Sequence, residues 1–246
     1  MTPKDYNDNF HNAHFQSSIN SANEILPYFF KYFKPKTLLD VGCGIGSWLT
    51  IAEQNGCEIL GIDGNYVNNE DLVIDKNNFK PFDLNQPFNL EKKFDLVLSL
   101  EVAEHILPIN AKIFIQSLCI HSDVILFSAA VPGQEGTLHF NEQYNQYWVD
   151  LFSKNDYQCI DFVRHEIWNN NKISWWYRQN ILIFIKKSEI KNPKYSPIVN
   201  KLDYNQNTYI HPELLKYKTD KADKLEKILN SPKQIIKYYL KGKKLL

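Results

Sequence analysis

The chain has 246 residues, 43% of them apolar and 23% charged, a composition ordinary for a globular protein with one principal domain and an appendage. No apolar run approaches the roughly 18 residues that a membrane span needs, so a transmembrane helix is excluded. The formal net charge is zero and only two arginines occur, Arg164 and Arg178, whereas a bulk nucleic-acid binder would spread positive charge over its working face; no nucleic-acid partner is expected.

Met1 to Phe10 is polar and lacks the apolar core of a secretory signal, which makes the cytoplasm the expected location. Ile25, Leu26, Phe29, Phe30 and Phe33 recur at helical spacing and predict a helix over Ile19 to Phe33. After Lys34-Pro35 a short apolar strand, Thr37 to Val41, runs into glycines. A second helix opens near Ser47, an N-cap residue type. Strands follow at Glu58 to Ile62, which leads into Asp63, at Phe79 to Asp83, and at Phe94 to Leu100, which reads as a buried parallel strand. A helix over Val102 to Cys119, a fifth strand at Asp123 to Ala129 and a helix at Gln143 to Ser153 come next. Gln158 to Glu166 and Asn180 to Lys187 read as two last strands joined by a Trp-rich segment. Strands alternating with helices predict an α/β fold, a Rossmann-like doubly wound sheet of seven strands.

From residue 191 the composition turns to Pro, Asn and Lys, and residues 191–246 carry 13 basic and 5 acidic side chains against 15 and 23 in the rest. Leu225, Ile228, Leu229, Ile235, Ile236, Tyr239 and Leu240 recur at helical spacing, with a restart at Ser231-Pro232, so one or two amphipathic helices are expected. The segmentation is an N-terminal helical segment (1–36), a central domain (37–188) and a linker with a basic helical tail (189–246). That tail either packs on its own domain or docks on a protein or an anionic membrane surface; monomer and homodimer both stay open. Cys43, Cys57, Cys119 and Cys159 form no CxxC pair, so neither a disulfide framework nor structural zinc is expected.

Asp40-Val41-Gly42-Cys43-Gly44-Ile45-Gly46 lies between a strand and a helix, where glycines let the backbone turn sharply and approach a ligand. The spacing is GxGxG with an acid two residues ahead, whereas a dinucleotide fold places its third glycine one residue later. Asp63 closes the second strand at the sheet's carboxyl edge, where a carboxylate accepts hydrogen bonds from both hydroxyls of a ribose, and Asp83 lies similarly after the third strand. These three features resemble the class I methyltransferases over Thr37 to Lys187. The resemblance implies S-adenosylmethionine as cofactor, with Gly42, Gly44 and Gly46 along its methionine moiety, Asp63 on the ribose, and Asp83 with Leu84 at the adenine. It extends the cofactor set to Asp40, Cys43, Trp48, Gly64 and Leu100, with Gln16 closing over from the N-terminal segment.

Leu98 to His105 (LSLEVAEH), Ser128 to Gln143 (SAAVPGQEGTLHFNEQ) and Ile167 to Asn180 (IWNNNKISWWYRQN) resemble a bacterial methyltransferase family found among genes for capsule and other surface-polysaccharide synthesis. That resemblance implies a small polar acceptor, a sugar or sugar-linked group. Displacement of a methyl from a sulfonium needs the acceptor atom in line behind it. A sugar hydroxyl must also lose its proton as it attacks, which calls for a base such as histidine. His139, on the loop after the fifth strand, is the first candidate and His105 the second, with Glu142 and Asn141 available to orient the imidazole or the acceptor. A phosphate or phosphoramidate oxygen would need no proton removed, and His139 and Arg178 would then bind it. Trp176, Tyr177 and Arg178 are candidate acceptor contacts, since aromatic rings stack on sugar faces as well as cover sheet ends. Glu101, Glu104 and His105 form ExxEH, a spacing that shares one helix face. With His139 this set could hold a divalent cation, although an enzyme without metal is the expectation. Rival readings are a quinone or small-aromatic methyltransferase and a non-catalytic cofactor-binding subunit.

Overall fold

The computed structural model describes residues 8–195 and 209–231, with side chains described from residue 15 onward. The chain divides into one unit over Met1–Thr208 and a second over Tyr209–Leu246. In the first, helix α1 spans Asp8–Phe33, longer than the predicted Ile19 to Phe33. Its stripe of Ala22, Ile25, Leu26, Phe29 and Phe33 is buried in one core cluster with Leu49, Ile51 and Ala52 of α2 (Ser47–Gln54).

Strands β1 (Thr37–Val41), β2 (Glu58–Asp63), β3 (Phe79–Pro81), β4 (Leu96–Leu100), β5 (Val124–Ser128), β6 (Tyr157–Ile160) and β7 (Leu182–Lys186) form one sheet in the order β3-β2-β1-β4-β5-β7-β6. The first five pair in parallel, and β7 runs antiparallel to both β5 and β6. β4 and β5 are buried along their whole length because both faces of the sheet are covered. The α1–α2 cluster lies on one face. A second cluster, with Phe114, Ile115 and Leu118 of α3 (Ala111–His121) and Trp148 and Phe152 of α4 (Asn145–Ser153), lies on the other. Strand order reverses between β1 and β4, which is where an open α/β sheet offers a crevice at its carboxyl edge.

Three predicted elements are corrected. Val102 to Cys119 is not one helix: Glu101 takes a left-handed φ of 57°, and short 3-10 turns at Ala103–His105 and Pro108–Asn110 precede α3. Pro108 has no N–H with which to continue an earlier helix. The predicted strand Gln158 to Glu166 ends at Ile160, and Val163–Ile167 forms helix α5, whose Arg164 makes a buried ion pair with Asp161. The Trp-rich segment runs into helix α6, Trp175–Asn180.

In the second unit, α7 spans Pro212–Leu229, with proline at its start and His211 Nδ1 accepting the Glu213 N–H at 3.2 Å. The predicted helix beyond Pro232, with Ile235, Ile236, Tyr239 and Leu240, lies outside the described residues. Among the described residues no helix is long and apolar enough to cross a membrane.

Candidate cofactor and acceptor site

The β1–α2 loop is shaped by three glycines in the left-handed region, Gly42 (φ 85°), Gly44 (φ 54°) and Gly46 (φ 96°). A Cβ on Gly42 would lie 2.3 Å from a methyl of Val102, so the turn packs beside the end of β4 only without a side chain. Gly44 is different: nothing lies within 4 Å of a Cβ built there. Its N–H donates to Asp63 Oδ2 at 2.6 Å, the Gly64 N–H donates to Asp63 Oδ1 at 2.6 Å, and the Tyr66 hydroxyl donates to that same Oδ1. Asp63 therefore ties the loop after β2 to the glycine loop. Burial raises its pKa, and these three donors oppose the rise.

Asp40 is buried beside it. Burial, reinforced by the charge of Asp63, pushes its carboxyl up to about 8, and its Oδ2 has no hydrogen-bond partner. Burial also lifts the Cys43 thiol well above its usual range, which makes it a packing residue and not a nucleophile. Asp40 carries a stability prediction. With its pKa raised from 3.8 to about 8, the folded state holds a proton that the unfolded chain releases, so stability is lost as pH rises through that window. Between pH 6.5 and 8 the cofactor-free protein should lose about 2 kcal/mol through this group. Thermal melts of Asp40→Asn should lack that share of the slope, and an unchanged slope would remove Asp40 as its source.

The remaining cofactor candidates are spread around the loop. Trp48, just after it, is buried edge-on against Tyr177 with ring centroids 5.2 Å apart, and the Tyr177 hydroxyl lies 3.3 Å from Ser18 Oγ of α1. Ser18, not singled out in the sequence, is thus the α1 residue joined to this wall. Gln16 is exposed and donates to Asn20 at 2.9 Å. Leu84 and Leu100 are buried, and Asp83 is exposed and accepts the Asn85 N–H at 3.0 Å.

Past β4, the Glu101 N–H donates to both the carbonyl and the hydroxyl of Ser128 at 3.0 Å. Its carboxylate receives the side-chain amides of Gln134 at 2.8 Å and Asn180 at 3.1 Å, and Gln179 donates to Asn180 at 3.0 Å. A left-handed non-glycine costs roughly 1 kcal/mol or more, and this network holds Glu101 in it. Gln134 and Asn180 escaped the sequence reading; their only signal was membership of the segments 128–143 and 167–180.

The ExxEH residues do not share a helix face as predicted. Instead the Glu104 carbonyl accepts the N–H groups of Phe140 at 2.9 Å and Asn141 at 3.0 Å, which pins the loop after β5 against the 103–105 turn. The rings of His105 and His139 consequently meet edge to face with centroids 4.8 Å apart. His105 Nδ1 lies 3.2 Å from the Leu138 carbonyl and His139 Nδ1 lies 2.9 Å from Glu142 Oε1. Both partners only accept, so each Nδ1 carries a proton. The Glu142 carboxylate also accepts the N–H groups of Gly133 at 2.8 Å and Glu135 at 2.7 Å, so one side chain organises the loop.

Burial, then the neighbouring His139, holds His105 down at about 4, so it is neutral at pH 7. Glu104 is buried, and its carboxyl is raised well above the ordinary range by that burial and then by the charge of Glu101. Its Oε2 has no partner. Glu104, His105 and His139 each offer a ligand atom within 4.8 Å of the others. Asn141 is buried beside them, accepts from Gln143 at 3.0 Å and has an unpartnered Nδ2. Trp176 is half-buried and Tyr177 buried. Arg178, a candidate acceptor contact, is only 3% exposed and donates to the Trp168 carbonyl at 3.1 Å.

A family model described as a methyltransferase domain matches residues 14–170, more than half of the chain. A curated relative, a probable chloroplastic tocopherol O-methyltransferase of Oryza sativa subsp. japonica, is 42% identical over 82 residues, and this chain covers 22% of its length. An amino pentose methyltransferase of calicheamicin biosynthesis from Micromonospora echinaspora, solved with S-adenosylmethionine, matches 74% of this chain and 98% of its own at 12% identity and a TM-score of 0.56. A plantazolicin methyltransferase bound to S-adenosylhomocysteine matches 72% of this chain and 87% of its own at 18% identity and a TM-score of 0.52. At such identities the structural likenesses show the fold, a class I methyltransferase fold, and the family match shows the family: the chain belongs to the methyltransferase-domain family.

Proposed function

We propose that the protein is an S-adenosylmethionine-dependent O-methyltransferase whose acceptor is a neutral hydroxyl of a small polar molecule, a sugar or sugar nucleotide destined for a surface polysaccharide. The residues fit the cofactor. Gly44 leaves open space, the buried Asp40 Oδ2 lacks the donor that an ammonium would supply, and the Asp63 carboxylate already accepts a hydroxyl. The cofactor contributes a methyl activated on a sulfonium. The chain contributes position and a place for the acceptor's proton.

One observation carries the hydroxyl reading: the His139 ring is held by Glu142 through Nδ1 at 2.9 Å, edge to face with His105, where an imidazole can take up the acceptor's proton. His105, at about 4, is too weak a base for that work and serves as a hydrogen-bond acceptor. Charge argues in the same direction. The Glu142 carboxylate stands here while Arg164 and Arg178 are both buried and donate to Asp161 and to the Trp168 carbonyl, so a phosphate or phosphoramidate acceptor would face a like charge. Gln134, Asn141 and Asn180 beside them suit a sugar better than an apolar quinone. The surface-polysaccharide assignment rests on the likeness of residues 98–105, 128–143 and 167–180 to that bacterial family.

A second reading is favoured by the unpartnered Glu104 Oε2, which with His105 and His139 would hold a divalent cation in a mixed nitrogen and oxygen set, supplying Lewis acidity to the acceptor oxygen. The test of both is transfer of a methyl from S-adenosylmethionine to a panel of nucleotide-linked sugars, read by mass spectrometry with and without EDTA. Methylated sugar at equal rates in both arms supports the histidine base, and a rate lost in EDTA and restored by Mn²⁺ supports the cation. No transfer to any sugar overturns the acceptor class.

A further inference from the structure

Three of the roughly four acceptor sites of the Asp63 carboxylate are taken, which leaves one fewer than a ribose diol needs free: Oδ2 takes the Gly44 N–H, and Oδ1 takes both the Gly64 N–H and the Tyr66 hydroxyl. The Tyr66 ring packs against Gly64, since a Cβ built on that glycine would sit 2.2 Å from the ring. Tyr66 nevertheless keeps 47% of its surface in solvent. Its local support is a turn in which the Val67 N–H donates to the Gly64 carbonyl at 3.2 Å.

We propose that Tyr66 is an affinity-setting residue of the cofactor site, its hydroxyl holding the position on Asp63 that a ligand hydroxyl must take. This rests on the reading of Asp63 as the ribose acceptor. A diol arriving at this carboxylate needs the two oxygens to turn their free capacity toward it, and Oδ1 is already doubly bonded. Tyr66 must therefore swing away before a ribose is bound. The fraction of molecules with Tyr66 turned out scales the observed affinity, because a ligand that binds one conformer of a two-state site sees its dissociation constant raised by the inverse of that conformer's population. Gly64 is part of the device: any larger side chain there would displace the ring.

The experiment compares the full chain with Tyr66→Phe, which loses only the hydroxyl. S-adenosylhomocysteine is titrated by calorimetry and its association is followed by stopped flow. Breaking a hydrogen bond to a carboxylate that competes with the ligand should tighten binding about tenfold, with the gain in the association rate and the dissociation rate little changed. A merely structural Tyr66 would lower affinity or thermal stability and would not accelerate association. Equal or weaker binding by the variant, with the wild type binding normally, overturns the role of Tyr66 alone. Failure of both proteins to bind S-adenosylhomocysteine overturns the ribose reading of Asp63 with it.

Discussion

Replacement of His139 by alanine should lower kcat by about two to four orders of magnitude, the range over which a positioned base contributes to proton transfer. The cofactor's dissociation constant should change little, because the ring stands with the acceptor-side groups Glu104, His105 and Glu142, apart from the Asp63 and Gly44 contacts. Glu142→Gln should produce a smaller loss: the amide oxygen still accepts from Nδ1, but one of the two backbone N–H groups now held at Gly133 and Glu135 would face an NH₂. The two variants together separate orientation from chemistry. Single-turnover rates at saturating S-adenosylmethionine are the measurement, and a His139→Ala rate within about twofold of wild type would take the imidazole out of the mechanism.

Asp63→Ala should do the reverse. It removes the acceptor for the Gly44 and Gly64 N–H groups as well as for ligand hydroxyls, so the glycine loop loses its tie to the loop after β2. Two hydrogen bonds to a charged acceptor, at about 1.5 kcal/mol each or more, imply a rise of at least about a hundredfold in the S-adenosylhomocysteine dissociation constant. The fold should survive, since burial disfavours the charged form of this carboxyl in the first place. Calorimetric titration decides it: a shift below about fivefold would mean that the ribose is held elsewhere.

The cofactor half was legible in the sequence because its demands are local. A glycine that must adopt positive φ, as Gly44 does at 54°, announces itself by residue type, and Asp63 by its place at the end of a strand. The β1 to β5 order followed from alternation of apolar strands and helices. The acceptor half was read less well because it is assembled from distance. Glu101, Gln134 and Asn180 meet from three separate segments, and nothing in the spacing of an isolated Gln or Asn predicts a partner 46 residues away, as Gln134 and Asn180 are. The ExxEH spacing pointed to a helix face, but a left-handed Glu101 and Pro108 broke the helix, and the groups converge through the Glu104 carbonyl instead. Arg178 was a candidate acceptor contact because a guanidinium suits a polar ligand. It is instead buried, with its guanidinium donating to the Trp168 carbonyl.

The placement of β7 between β5 and β6 has a consequence for assembly. It leaves the sheet bordered by two very short strands, β3 with three residues ending in Pro81 and β6 with four. A proline cannot donate to a neighbouring strand, and three or four residues offer too few free backbone groups to template one. Sheet continuation from molecule to molecule is closed off at both ends, which guards a strongly apolar β core against fibrillar growth. Among the described residues, the faces of this sheet are covered by helices, so what it presents outward is helical side chains and not strand backbone.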